Sequence, residues 1–433
     1  MGLDKTPLEL NDDFRLALDM IEKQGRNLFI TGKAGTGKST LLQLFRSTTR
    51  KKTVVLAPTG VAALNVQGQT IHSFFGFPAK PLDRRDIKKR FNRKLYQHIE
   101  VLVIDEISMV RADLLDNIDY FLRVNRENPL PFGGVQVVFF GDLFQLPPVV
   151  SSETEMMFLQ TRYESPYFFS SIVIRSEIEL EMLELQKVYR QENKYFLKLL
   201  DAIRLNRVDE DDLEELNKRY IPGFTSTDYY ITLSARNARV DAINLTELAR
   251  IPLPSATYAA RVTGNFNPSL YPAEPSLNLK LNAQVMFTKN DLQRRFVNGT
   301  IGKIVKLEAE TVTVMVEEGE QRRYIETERM DWEVLQYKVH PEDQTRIETE
   351  VVGTFNQLPL RLAWAVTIHK SQGKTFDRLI VDLDKGAFEN GQTYVALSRC
   401  RTLDGIVLRH PLRYQDIMTD ERVVEFYERQ LYK

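Results

Sequence analysis

Cysteine is nearly absent from this chain of 433 residues: Cys400 stands alone. That excludes an internal disulfide and any zinc site built on several cysteines, and it fits a reducing compartment. Long apolar runs are also missing, with no stretch reaching the ~18 residues of a membrane span. The opening "MGLDKTPLELNDDF" carries neither an apolar signal core nor an Arg-rich, acid-poor transit pattern. A cytoplasmic protein with no membrane partner is expected. Net charge is lacking as well, since 58 basic residues meet 59 acidic ones. Such a balance argues against a protein that coats nucleic acid by charge alone, and it allows one that confines basic residues to a groove.

The balance breaks down locally. "KPLDRRDIKKRFNRK" (80–94) holds eight Lys or Arg against two Asp, whereas "RVDEDDLEEL" (207–216) is acidic. The acidic run reads as a solvated helix face. The length suffices for two or three domains. Short apolar runs ("NLFIT", "TVVLAP", "VLVIDE", "VQVVFFGD") alternate with helical patterns in the first half, which predicts a parallel α/β sheet. Its chemistry should lie beyond the carboxyl ends of the strands. The pattern restarts after about residue 175, with "YYITLSARN" and "RLIVDLD" as further strands. Between these two, "TIGKIVKLEAETVTVMVEEGEQRRYIETERMDWEVLQYKV" alternates Val, Ile, Thr and Tyr with charges and predicts a small antiparallel barrel inserted into the second unit.

"NLFITGKAGTGKSTLLQLF" (27–45) carries the most specific chemistry. Its GxxxxGK[ST] shape, Gly32 to Ser39, follows a strand and opens a helix. Gly32, Gly35 and Gly37 allow backbone angles that turn N–H groups towards an anion. Gly32, Gly35, Thr36, Gly37, Lys38, Ser39 and Thr40 are therefore expected to bind ATP, with Lys38 on the β- and γ-phosphates and Ser39 on Mg²⁺. "VLVIDEISMV" ends a strand on Asp105 and Glu106. There one carboxylate can complete the metal shell and the other can activate water, which favours hydrolysis over transfer. A capping box is the structural alternative for that pair. Gln145 in "GDLFQLPPV" suits a γ-phosphate sensor. Arg190 and Arg399 can act as arginine fingers across a cleft, or as surface ion pairs.

The motifs "GKAGTGKS", "APTGVAA", "TIHSFF", "DEISM", "GDLFQLPPV", "TIHKSQGKTF" and "YVALSRCR" stand in the order found in superfamily 1 helicases. Together with "DLLDNIDYFLRVNRENPLPFGGVQ", they make a set that most resembles the petite-integration-frequency (Pif) family. The resemblance runs from about residue 10 to about residue 410. It implies two RecA-like parallel-sheet domains, 1–178 and 179–295 plus 356–433. A wedge insertion falls at about 74–97 and an SH3-like barrel at 296–355. It further implies an ATP- and Mg²⁺-dependent 5′→3′ DNA helicase that moves on single-stranded DNA, with single-stranded DNA and tailed or forked duplex as partners and G-quadruplexes or RNA–DNA hybrids as further candidate substrates. Action as a monomer or a DNA-induced dimer, and nucleoid association in a bacterial or phage setting, follow as expectations.

By position, the resemblance gives Asp105 to the metal, Glu106 to catalysis, Gln145 to γ-phosphate sensing, and Arg190 and Arg399 to the fingers. Pro58, Thr59, Gly60, His72, His369, Ser371 and Gln372 fall in motifs that line the family's DNA channel. Phe74, with Phe75 and Phe77, is a candidate base-stacking aromatic, although core packing accounts better for at least one of the three. The chain departs from the family at the adenine-reading glutamine, where Phe14 stands. Selectivity for adenine would then come from Asn11 or from backbone groups. Three rival readings remain: a RecD-like helicase, a DNA-stimulated ATPase switch that remodels a partner without unwinding, and a phosphate-loop kinase lacking the second sheet.

Overall fold

The computed structural model describes residues 10–78, 82–150, 152–225, 229–291, 293–319, 321–343 and 346–431. The opening nine residues, and Lys80 and Pro81 of the basic stretch, lie outside the described residues. Two parallel sheets carry the molecule. The first has six strands in the order Gln69–Thr70, Thr53–Ala57, Val101–Ile104, Gln136–Phe140, Leu28–Gly32, Glu181–Leu185. The second has four, Ala365–Thr367, Ile231–Ser234, Leu379–Asp382 and Ile406–Leu408, again all parallel. Apolar residues fill both faces of the central strands, as a sheet covered by helices on both sides requires. Val54, Leu56, Leu102 and Ile104 join one core, and Val55, Val101 and Val103 the other.

The observed units are wider than the sequence boundaries in three places. Glu181–Leu185 pairs along its whole length with Leu28–Gly32, so the first sheet continues past residue 178. The barrel sheet of Ile301–Leu307, Thr311–Glu318 and Gln321–Glu328 also takes in Gln284–Phe287 and Leu360–Leu362, which lie outside 296–355. The C-terminal helix Glu421–Leu431 returns to the first unit, where Phe426 stacks on Phe169 at 4.4 Å and the Tyr427 hydroxyl bonds Glu184 at 2.7 Å. For Glu181–Leu185, Leu360–Leu362 and the C-terminal helix the partner is remote in sequence.

A long hairpin, Met330–Val339 and Ile347–Gln357, ties the inserted region to the first sheet. The Tyr337 hydroxyl accepts from the Val55 N–H at 3.0 Å, and the Tyr337 N–H donates to Gln69 Oε1 at 3.2 Å. A side chain from the insertion thereby bonds a buried strand amide of the first sheet.

Phe74 is corrected by the structure. Its ring is 5% exposed and packs edge-on against Phe75, Tyr96 and Tyr337 at 4.9, 5.5 and 5.9 Å. Phe75 and Phe77 are buried as well. All three belong to the core, because the short helix Ile71–Phe75 turns this face towards Phe121 and Tyr96. Phe74→Ala should therefore cost about 3–5 kcal/mol of stability, read as a lower chemical-denaturation midpoint. DNA affinity per folded molecule should not change.

The acidic run behaves as expected: Asp209 caps the helix Glu210–Asn217, which points most of its carboxylates to solvent. The basic stretch is anchored rather than free. Lys89 and Arg93 pair with Glu127, and Arg90 donates to the Phe75 carbonyl at 2.8 Å. Between these anchors Phe91 stands fully exposed.

Candidate nucleotide site and DNA-facing surface

The strand Leu28–Gly32 delivers the glycine loop to the N-terminus of the helix Lys38–Thr48. Gly35 and Gly37 have φ of +87° and +89°, a region that disfavours side chains. Space makes the same demand at Gly35, where an added Cβ would lie 2.5 Å from Arg190 Cβ. Lys38 Nζ folds back onto the Gly32 and Lys33 carbonyls at 2.5 and 3.2 Å. Burial pushes its pKa below the usual lysine value, against the pull of Asp142 and Glu106. A buried ammonium resting on loop carbonyls in an anion-cradling loop is suited to a phosphate.

Asp105 and Glu106 follow the strand Val101–Ile104. Burial, reinforced by the neighbouring Glu106 charge, raises Asp105 to about 7. Glu106 is also raised by burial, with Lys38 opposing. Glu106 sits at φ +50°, ψ +45°, a left-handed conformation that costs a non-glycine residue energy. It is not a helix-capping side chain: no cap hydrogen bond forms to the short helix that follows. Two buried carboxylates pushed towards neutrality are suited to a divalent cation and a water proton, which supports the fit of Mg²⁺ beside Ser39.

The second unit closes the opposite wall. A cavity of about 700 Å³ is lined by Phe14, the loop from Ala34 to Thr40, Glu106, Gln145, Tyr189, Arg190, Thr375 and Arg399. Thr36 and Thr40 are in that lining, and Asp105 lies outside it. Arg399 is 1% exposed, and its guanidinium donates to the Val395 carbonyl and Ser398 Oγ at 3.0 and 2.8 Å. Burial lowers its pKa to about 10. Arg190 donates to Thr375 Oγ1 at 2.9 Å and the Ser398 carbonyl at 3.1 Å. Its pKa is held well below the arginine value by burial and then by Arg399. The buried Arg399 guanidinium and the partly buried Arg190 guanidinium repel each other and are bonded to neutral acceptors, an arrangement suited to an anion. The surface ion-pair alternative for both arginines is thus removed.

Two further residues escaped the sequence reading. The Tyr394 hydroxyl accepts from the Ala34 N–H of the glycine loop at 3.0 Å. Asp142 is 1% exposed and accepts from Gln145 Nε2 at 3.1 Å. Both stand inside quoted motifs; Asp142, beside Gly141 after the strand Gln136–Phe140, carried a local signal, and Tyr394, inside the helix Gln392–Leu397, carried none. Phe14 packs near Gly37 within the helix Asp12–Glu22. Asn11 is engaged: its Oδ1 caps that helix through the Phe14 N–H, and its Nδ2 donates to the Tyr189 hydroxyl at 3.0 Å.

The expected DNA residues fall on both units. Thr59 Oγ1 caps the helix Gly60–Asn65, and Gly60 abuts Leu270 of the inserted region, where an added Cβ would lie 2.1 Å from Leu270 Cδ2. The stretches Thr70–His72 and Thr367–His369 repeat one local design. In each, threonine ends a strand and caps a short helix, isoleucine is fully buried and histidine remains partly exposed. Pro58, Thr59 and His72 line one shallow cavity with Arg111. Burial and Arg111 lower the His72 pKa, and its Nδ1 is buried without a partner. His369 lies 3.4 Å from Glu389. Ser371 is the exception: it is fully buried and its hydroxyl donates to the Ile368 carbonyl, so it shapes the turn instead of facing a strand. Gln372 Nε2 donates to Gln145 Oε1 at 3.4 Å, a link between the turn after Ile368–Ser371 and the cavity.

A family model described as PIF1-like helicase matches residues 9–214. The ATP-dependent DNA helicase Pif1 of Bdellovibrio bacteriovorus is 33% identical over 97% of this chain and 92% of its own length. The human ATP-dependent DNA helicase PIF1 is 34% identical over 99% of this chain, which spans 65% of that longer protein. A crystal structure of Bacteroides Pif1 with ADP-AlF4 matches at a TM-score of 0.91 and 38% identity, covering 98% of each chain. Bacteroides Pif1 with ADP-AlF3 and single-stranded DNA matches at 0.69, again at 38% identity and 98% of each chain. Two parallel sheets, the cavity between them and likeness along the whole chain agree: this chain belongs to the PIF1-like helicase family.

Proposed function

We propose that the chain is an ATP- and Mg²⁺-dependent DNA helicase that moves 5′→3′ along a single strand and separates tailed or forked duplex ahead of it. The observation that carries this reading is the cavity itself. A glycine loop and the Glu106 carboxylate face Arg190 and the fully buried Arg399 across it. Bound ATP with Mg²⁺ supplies the γ-phosphoryl group and the charge neutralisation its transfer needs. In this reading Gly32 to Thr40 and Lys38 cradle the phosphates, while Ser39 and Asp105 hold the metal. Glu106 takes the proton of the attacking water, and Gln145 orients that water near the γ-phosphate. Arg190 and Arg399 stabilise charge in the transition state and join the two units when nucleotide is present.

Pro58, Thr59, Gly60 and His72 on the first unit, with His369 and Gln372 on the second, grip the strand through its backbone without reading bases. A grip on each unit, connected to the cavity through the Gln372–Gln145 contact, lets opening and closing become movement. The anchored basic stretch that exposes Phe91 is assigned to strand separation, and Tyr189 with Phe14 to the nucleotide base. The bound states of the Bacteroides relative, with nucleotide analogue and single-stranded DNA, fit this reading.

Steady-state ATP hydrolysis with and without single-stranded DNA tests it. Hydrolysis should require Mg²⁺, rise with DNA, and vanish in Lys38→Ala. Hydrolysis indifferent to DNA would remove the motor from the reading.

A further inference from the structure

Arg204 belongs to none of the motifs, yet it is among the largest fully buried side chains of the described residues, at 1% exposure. It ends the helix Lys194–Arg204. One terminal nitrogen lies 3.5 Å from Asp142 Oδ1 and 3.5 Å from Glu184 Oε1. The guanidinium stacks over the Phe144 ring at 4.2 Å and the Tyr427 ring at 5.0 Å. Its backbone carbonyl accepts from Thr419 Oγ1 at 3.2 Å. Three elements distant in sequence meet on this one side chain: the loop after Gln136–Phe140, the last strand of the first sheet, and the C-terminal helix.

Asp142 is what makes this more than a structural tie. Its Oδ1 accepts from the Phe144 N–H at 3.2 Å and faces Arg204, while its Oδ2 accepts from Gln145 Nε2 at 3.1 Å. The Tyr394 hydroxyl, bonded to the Ala34 amide of the glycine loop, lies 3.4 Å from the same Oδ2. Without the facing guanidinium this buried carboxylate would lose the partner that fixes its orientation, and a turn of the carboxylate would release the Gln145 amide. The planar fork, held between two aromatic faces, can favour one carboxylate or the other with a small movement.

We propose that Arg204 is a positioning residue for hydrolysis: it holds Asp142 so that Asp142 aims the Gln145 amide into the nucleotide cavity. This rests on the reading of Gln145 as the γ-phosphate sensor. The link also runs outward, because Glu184 and Tyr427 share the same guanidinium and hydrogen-bond each other at 2.7 Å. The C-terminal helix therefore bears on the geometry of the sensor.

The test is a double-mutant cycle in DNA-saturated ATP hydrolysis with the full chain. It uses Arg204→Met, Arg204→Lys, Gln145→Ala and the two combinations. Arg204→Met should lower kcat by about 100-fold with KM for ATP changed less than about threefold, as a misaimed group does. Arg204→Lys, which keeps charge without the fork, should recover part of the loss. In the Gln145→Ala background neither substitution should lower kcat further. Losses that multiply with that of Gln145→Ala, or a rise in KM at unchanged kcat, would overturn the proposal. So would insolubility of both Arg204 variants, which would make the residue a structural tie. If Gln145→Ala alone leaves kcat unchanged, the sensor reading fails first and the proposal falls with it.

Discussion

Glu106→Gln should reduce kcat for ATP hydrolysis by about 10²- to 10⁴-fold, the usual worth of a positioned general base, while nucleotide still binds. The substitution is nearly isosteric and removes only the basicity. Glu106 is held in a left-handed conformation, and burial raises its pKa, both consistent with a carboxylate kept for proton transfer. Binding of a fluorescent ADP should stay within about tenfold of wild type, because the proposed phosphate contacts come from the glycine loop and Lys38. Unwinding should be lost with hydrolysis. A variant that hydrolyses ATP at the wild-type rate would transfer the base role to another group, with Asp105 the first to examine.

Arg399→Ala should be as severe, lowering kcat by about 10³- to 10⁵-fold, the range found for arginine fingers. Its guanidinium is fully buried, bonded to a carbonyl and a hydroxyl, and repelled by Arg190. Burial disfavours its charge more than Tyr394, Glu106 and Asp142 support it, so an anion entering the cavity would be a strong partner. Loss of the side chain should therefore lower kcat far more than it weakens ADP binding, because the charge it meets develops on the γ-phosphoryl group. Arg399→Lys should recover little, since an ammonium cannot reproduce the planar fork. The discriminating measurement compares kcat with ADP affinity in the two variants. An equal loss in both would reduce Arg399 to a ground-state phosphate contact.

The glycine loop between a strand and a helix, and the carboxylate pair at a strand's end, were legible in the sequence because their geometry is local. A glycine that must accept positive φ, or a carboxylate that must end a strand, leaves a mark within a few residues. Phe74 was not legible for the opposite reason. An aromatic after a short capped helix looks the same whether it stacks on a base or on Tyr96 and Tyr337, and the partners lie far along the chain. The unit boundaries were missed where strands join sheets from a distance, as Glu181–Leu185 does with Leu28–Gly32. Arg204 carried no signal at all, since its role depends on Asp142, Glu184 and Tyr427 meeting in space. Ser371 had the right neighbours and the wrong orientation, which only the turn geometry settles.

Strand separation on duplexes with a single 5′ or 3′ tail, driven by ATP and Mg²⁺ with Lys38→Ala as control, tests the central claim most directly. The account predicts that the 5′-tailed duplex alone is opened, and that the control opens neither. Opening of the 3′-tailed duplex, or DNA-stimulated hydrolysis with neither duplex opened, would contradict it.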